Sequence, residues 1–209
     1  MRARELELVT ATRALFDERG MQDAQIDEIA RAAGIARGLV YRHFSSKEEL
    51  YVLTVTHYLD ELAELLEAAI AGDDSATLRL ERCSRAFGRY CTRYPAFLDS
   101  SQALMRRHAM ELGETLSEAV WFQLGRSMAR CLDCLAGVLR EGAKVGEFRV
   151  DDADYMANLL WTQGLGMMHL ARIRVGVRQA EEGVPALFAV TPDQVVESCV
   201  RAALLLVRA

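Results

Sequence analysis

Apolar residues recur at three- and four-residue intervals through most of the chain, the period of amphipathic helices. Leu6, Val9, Leu15 and Phe16, with Arg, Glu and Asp between them, predict a first helix that Gly20 closes as a left-handed cap. Ile26, Ile29, Ala30 and Ala33 form the next stripe, which stops at Gly34, so a second helix of about two turns ends in a glycine turn. Arg37 to His43 predicts a short third helix. Its apolar pair, Val40 and Phe44, lies one turn apart and packs inward, which turns Gly38, Leu39 and Arg42 outward, flanked by Tyr41 and His43.

Ser45-Ser46-Lys47-Glu48-Glu49 offers two overlapping capping boxes, Ser45 with Glu48 and Ser46 with Glu49, so a fourth helix starts there and runs to about Ala71. That helix begins beside the first three and continues into the rest of the chain, which makes the boundary near residue 50 a shared helix and not a flexible linker. Further helices are expected from Ser75 to Arg93, ending before Tyr94-Pro95, from Pro95 to His108, from Leu116 to Arg140, and from Asp151 or Asp152 through about Arg174. Gly176 to Val190, holding Gly183 and Pro185, reads as one long loop. Thr191-Pro192-Asp193-Gln194 then supplies an N-cap, an N1 proline and an N3 glutamine for a last helix, whose face from Val195 to Val207 is wide enough to be buried.

Composition agrees with a helical globular protein. Of 209 residues, 51% are hydrophobic and 26% charged, with only 14 Gly and 3 Pro, which excludes disordered and fibrous classes and favours long helices. The net charge of −5 argues, for the chain as a whole, against a polyanionic partner. Its distribution reverses that inference. Ile29 to Lys47 contains no acid and carries Arg31, Arg37, Arg42 and Lys47, a local +4 that leaves −9 on the other 190 residues. Tyr155 to Ala180 is acid-free too, with Arg172, Arg174 and Arg178, so charge alone does not decide between the two stretches.

The helical pattern does decide. Two short helices joined by a tight glycine turn, the second with a basic outer face, describe a helix-turn-helix, whose second helix enters the major groove of DNA. A three-helix scaffold that merely packs would share the apolar pattern but would not need the basic face. Residues 6–50 resemble the tetracycline-repressor (TetR) family of bacterial regulators. The resemblance is carried by Phe16-Asp17-Glu18-Arg19-Gly20, Ile26-Asp27-Glu28-Ile29-Ala30, Ala33-Gly34-Ile35-Ala36-Arg37-Gly38, Val40-Tyr41-Arg42-His43-Phe44 and Lys47-Glu48-Glu49-Leu50.

The resemblance implies an all-α fold: a helix-turn-helix DNA-binding domain over residues 1–50, then a larger effector-binding and dimerisation domain over 51–209. It also implies that Tyr41, His43 and Lys47 contact phosphates while Arg37, Gly38 and Arg42 approach base edges. The chemistry agrees, since Tyr41 and His43 donate hydrogen bonds, Lys47 adds charge beside a helix start, and Arg42 can grip guanine O6 and N7 together. Two positions depart from the family pattern. Gln25 stands where Ser or Thr usually caps helix two, and Leu39, suited to a thymine methyl, stands where a small hydroxyl residue is common.

By the same resemblance the partners are a double-stranded palindromic operator, a fairly apolar small-molecule effector and a second copy of the chain. Gly142 to Arg149, followed by Asp151-Asp152 and a helix with Trp161 and Gly164, looks like the stretch that precedes the family's dimer helices. The last two helices would then pair with their copies, with the Val195 to Val207 face serving either that interface or the chain's own core. Effector-wall candidates are Phe87, Tyr90, Met105, Trp121, Met128, Trp161 and Met168, large apolar residues that ordinary packing also explains. His108 and His169 are candidate polar anchors, and Arg82, Arg85, Arg89 and Arg93 form a stripe expected to be solvated or paired with carboxylates.

Cys131-Leu132-Asp133-Cys134 lies inside a predicted helix with neither a second such pair nor a nearby His, leaving a thiol redox sensor as a lesser alternative and no metal site. Another alternative is an architectural DNA-binding protein without ligand control. Catalysis is not expected, because the chain has no Glu-x-x-His pair, His-Glu-x-x-His, phosphate loop or dinucleotide-binding glycine pattern, and no cofactor follows. The N-terminus has no apolar signal core and the Tyr155 to Ala171 stretch is too short and polar to span a bilayer, so a cytoplasmic protein with no membrane association is expected.

Overall fold

A computed structural model of the chain describes residues 3–20, 25–106 and 115–208. Its elements are α1 (Ala3–Arg19), α2 (Ile26–Ala32), α3 (Arg37–His43), α4 (Lys47–Ile70), α5 (Ala76–Arg93), α6 (Pro95–Met105), α7 (Glu118–Lys144), α8 (Ala153–Ile173), β1 (Val175–Glu181), β2 (Val184–Ala189) and α9 (Pro192–Val207). The all-α expectation holds, the two short strands forming the one sheet among the described residues. The expected end of α6 at His108, and His108 itself, lie outside the described residues.

Local chemistry explains most of the helix ends. Gly20, at φ +86°, donates its N–H to Phe16 O at 2.8 Å, and Gly34, at φ +66°, turns the chain out of α2. Ser46 Oγ accepts from Glu49 N–H at 3.1 Å at the start of α4. Thr191 and Gln194 form the expected reciprocal cap on α9, at 2.9 and 3.2 Å, and Asp152 caps α8 through Tyr155 N–H at 2.9 Å.

The chain packs as two compact units, Met1–Glu61 with Tyr94–Arg130, and Leu62–Arg93 with Cys131–Ala209. This is a division by packing, distinct from the functional one expected at residues 50 and 51. In the first unit, Leu8, Val9, Phe16, Ile29, Val40, Phe44, Leu50 and Tyr58 are buried. The Tyr58 hydroxyl donates to Asp17 Oδ1 at 2.6 Å under the Arg13 guanidinium, which lies 4.3 Å from the ring centre, and burial followed by the Asp17 bond pushes its pKa up.

In the second unit Leu80, Val138, Leu139, Phe148, Ala157, Leu160, Val200, Leu204 and Val207 close one core. The face from Val195 to Val207 is therefore intramolecular core, which removes it as a surface for a second copy. The chain before α8 is a packing node. A side chain at Gly142 would place its Cβ 2.1 Å from the buried Phe148 ring, and Arg149 N–H donates to Val207 O at 2.7 Å. Glu147 accepts from Thr77 N–H at 2.8 Å, Thr77 Oγ1 at 2.9 Å and Ala76 N–H at 3.3 Å. Those bonds, the Thr77 backbone one foremost, hold its pKa below the ordinary carboxylate value.

The expected loop from Gly176 to Val190 is instead an antiparallel hairpin. Gly183, at φ +76°, makes its turn, and Gly176 leaves room for the Phe188 ring, which would lie 2.2 Å from a Cβ there. Val175, Val177, Val184 and Phe188 are the strand formers. Pro185 and the two glycines obscured them in the sequence, although Gly183 lies in the turn and Gly176 and Pro185 sit where an edge strand tolerates them.

Candidate nucleic-acid interface and effector cavity

The turn between α2 and α3 is tied by Gly34 N–H to Arg31 O at 3.1 Å and Ile35 N–H to Ala30 O at 2.9 Å. Ala36, in extended conformation, then starts α3. Val40 and Phe44 anchor that helix with 1% and 2% exposure, so its other face is turned to solvent. Arg37, Gly38, Leu39, Tyr41 and Arg42 are all exposed, and His43 is half-buried. A Cβ on Gly38 would meet nothing within 4 Å, so no internal packing demands glycine there and the bare backbone faces outward.

Neighbouring helices steady this face. Arg37 Nη1 pairs with Asp27 Oδ2 at 3.1 Å, joining α3 to α2, and Arg19 Nη1 pairs with Glu28 Oε1 at 2.8 Å, joining α1 to α2. Lys47, half-buried, holds its Nζ 4.9 Å above the Tyr51 ring, which itself meets Phe16 edge-on at 4.9 Å. Beneath Lys47, the buried Glu49 accepts from Ser45 N–H at 2.6 Å, Ser45 Oγ at 2.7 Å and Ser117 Oγ. Burial acts to raise its pKa, but these hydrogen bonds outweigh it and keep the carboxylate below its ordinary value. Thus every cation proposed for DNA lies on or beside one exposed surface, while the nearest buried acid is satisfied internally.

Within the second unit, α5, α7, α8, α9 and the end of α4 line a cavity of about 40 Å³. Phe87 and Trp161 line it with ring centres 5.1 Å apart. Gly164 admits the Phe87 ring, since a Cβ there would come within 2.9 Å of it. Of the other expected wall residues, Tyr90 and Met168 are buried in the same unit without lining this cavity. Met105, Trp121 and Met128 belong to the other unit, where Met105 is 50% and Trp121 38% exposed.

Sequence reasoning missed Cys83, Cys131 and Cys199, which line the cavity together with Ser84, Gln163 and Met167. Cys83 stands one helical turn from Phe87, a spacing that was available as a signal. Burial pushes the Cys83 thiol up to about 12 and Cys199 to about 11. Cys131 and Cys134 are both buried within the unbroken α7. Among the described residues no cluster suited to a metal ion occurs, and no helix is long and apolar enough to cross a membrane. The basic stripe is paired where expected, Arg82 with Asp74 at 2.8 Å and Arg85 with Glu197. His169 is exposed on α8.

A second cavity, of about 230 Å³, lies inside the first unit between α4 and α6, lined by Glu48, Tyr51, Val52, Val55, Ser100, Ala103 and Leu104. The Ser100 hydroxyl there is buried without a hydrogen-bond partner.

Comparison with known proteins places these features in a family. The family model of bacterial regulatory proteins, tetR family, matches residues 8–53. The chain is 31% identical over 148 residues to the HTH-type transcriptional repressor KstR2 of Rhodococcus jostii, a match covering 71% of this chain and 69% of that protein. Its fold is similar to that of the ketosteroid transcriptional regulator KstR2 of Mycobacterium tuberculosis, with TM-score 0.64 and 22% identity over 100% of this chain and 97% of the other. It is likewise similar to FadR of Bacillus subtilis in complex with stearoyl-CoA, with TM-score 0.70 and 15% identity over 96% and 98% of the two chains.

Proposed function

This chain belongs to the TetR family of bacterial regulatory proteins, which are DNA-binding regulators of transcription, and from that premise we propose how it works. It is a ligand-responsive repressor that binds a palindromic operator as a homodimer in the cytoplasm. Residues 1–50 read DNA and residues 51–209 bind effector and partner. The observation that carries this reading is the outward face of α3, held by buried Val40 and Phe44 while Arg37, Gly38, Leu39, Tyr41 and Arg42 stand exposed. Tyr41, His43 and Lys47 grip phosphates, Arg37 and Arg42 reach base edges, Gly38 lets backbone approach, and Leu39 meets a thymine methyl.

The effector is fairly apolar and enters the cavity walled by Phe87 and Trp161, which is small when closed and must widen to admit it. Widening shifts the population between forms whose recognition helices do or do not match successive major grooves, with α4, which directly follows α3, as transmitter. Relatives named for ketosteroid regulation and solved with stearoyl-CoA support steroids and long-chain acyl thioesters as first compounds to try. Footprinting and binding isotherms on the promoter of its own gene, with and without those compounds, test the proposal. A protected palindrome released by an apolar compound is expected. Binding without sequence preference would overturn it in favour of an architectural protein.

A further inference from the structure

The hairpin is the element of the second unit that its own chain leaves most open. Register puts Val175 with Ala189, Val177 with Leu187 and Gln179 with Pro185 on one face, so that face is apolar but for one residue. Val177 and Leu187, opposite one another, are 69% and 70% exposed. A two-stranded hairpin is marginally stable in water unless something packs on it, and an exposed apolar strand pair invites a partner.

The neighbouring helix suggests which partner. Opposite its buried face, α8 carries an exposed row of Tyr155, Leu159, Thr162, Gly166, Leu170 and Ile173, at helical spacing, that leads to the base of the hairpin. The two ends of this surface are oppositely charged. Asp151, Asp152 and Asp154 stand at the start of α8, Asp154 already paired with Arg140 at 3.1 Å, and Arg174 and Arg178 follow its end. An antiparallel two-fold pairing of α8 with its copy brings each acidic end against a basic one while covering the apolar row. The Val195 to Val207 face, being core, is not available for that task.

We propose that the hairpin is an arm that closes over a second copy of this chain at the edge of an α8–α8 interface, with Val177 and Leu187 as its apolar anchors. The inference rests on the homodimer reading and adds a component to it. Val190 N–H donates to Arg174 O at 3.0 Å, so the two ends of the hairpin are close enough for a two-glycine link to replace residues 175–189.

Sedimentation velocity over a concentration series would compare the wild type, the double variant Val177→Asp/Leu187→Asp and the link variant. The expected result is a dimeric wild type, with the dimer dissociation constant raised at least tenfold in both variants and helix content unchanged. Hydrogen exchange on the wild type gives a reading that needs no variant: β1 and β2 amides gain protection as dimer forms. A monomeric wild type would overturn the dimer and the arm together. A dimeric wild type with unchanged variants, or with hairpin exchange independent of concentration, would overturn the arm alone.

Discussion

The α2–α3 corner and the helices around the thiol-lined cavity handle charge and space in opposite ways. At the corner, two anchors, Val40 and Phe44, hold a seven-residue helix whose other residues are exposed, apart from the half-buried His43, and include two arginines. On the helices of the second unit arginines are paired, Arg79 with Glu141, Arg82 with Asp74 and Arg85 with Glu197, and buried thiols line the cavity among mostly apolar residues. The corner is therefore defined by its surface chemistry, and the cavity by packing. The consequence is separability of side-chain changes: replacing an exposed residue of the corner should alter DNA binding without altering stability, whereas replacing a buried residue of the second unit should alter stability first.

The largest expected effect tests the packing side. Gly142→Leu drives a side chain into the Phe148 ring and should destabilise the protein by about 3 kcal/mol, read as a lowered denaturant midpoint. Unchanged stability would mean that the node before α8 yields freely. Next comes Arg42→Ala, expected to cost about 1–3 kcal/mol of operator affinity and to relax preference at one base position, with an unchanged melting temperature. Lys47→Ala should instead weaken binding to operator and scrambled DNA alike and lower the salt slope by about 1. Loss of melting temperature in Arg42→Ala would break the separation.

Gly34→Ala probes the backbone of the corner itself. A methyl there clashes with nothing, so the left-handed backbone alone should cost about 1 kcal/mol in thermal or urea unfolding. Glu147 and Glu49 give a smaller, pH-dependent effect. Their pKa values are lowered in the folded state, so their contribution is present above the unfolded carboxylate value of about 4.3 and is lost as pH falls through the folded values. Urea unfolding from pH 5 to pH 3 should therefore fall more steeply for wild type than for Glu147→Gln. Smallest of all, mild oxidant should leave operator binding unchanged, because Cys131 and Cys134, the pair on which the redox alternative rests, are both buried within α7. Altered binding would favour the redox alternative.

Legibility followed the range of the interactions. Gly20, Gly34, the Ser46 cap and the Thr191-Gln194 box act within a few residues, so the sequence announces them directly. The exposed face of α3 was legible for the same reason, since two buried residues one turn apart orient the whole helix. The hairpin was not, because Gly176 and Pro185 read as breakers until the cross-strand fit of Phe188 over Gly176 is known. The cavity wall was legible only at Phe87 and Trp161. Met105 and Trp121 have the same apolar character but stand exposed in the other unit, a distinction that depends on which helices meet.

By itself, the sequence determined the helices, their caps, the helix-turn-helix and the concentration of positive charge on it, because periodicity, capping and local charge are properties of neighbouring residues. Only the tertiary structure decided that the Val195 to Val207 face belongs to the chain's own core, that three cysteines share a cavity, and that a hairpin stands uncovered beside α8. Those outcomes depend on contacts between residues far apart in the chain. An apolar stripe states that a face must be buried; what buries it is fixed only when the helices pack.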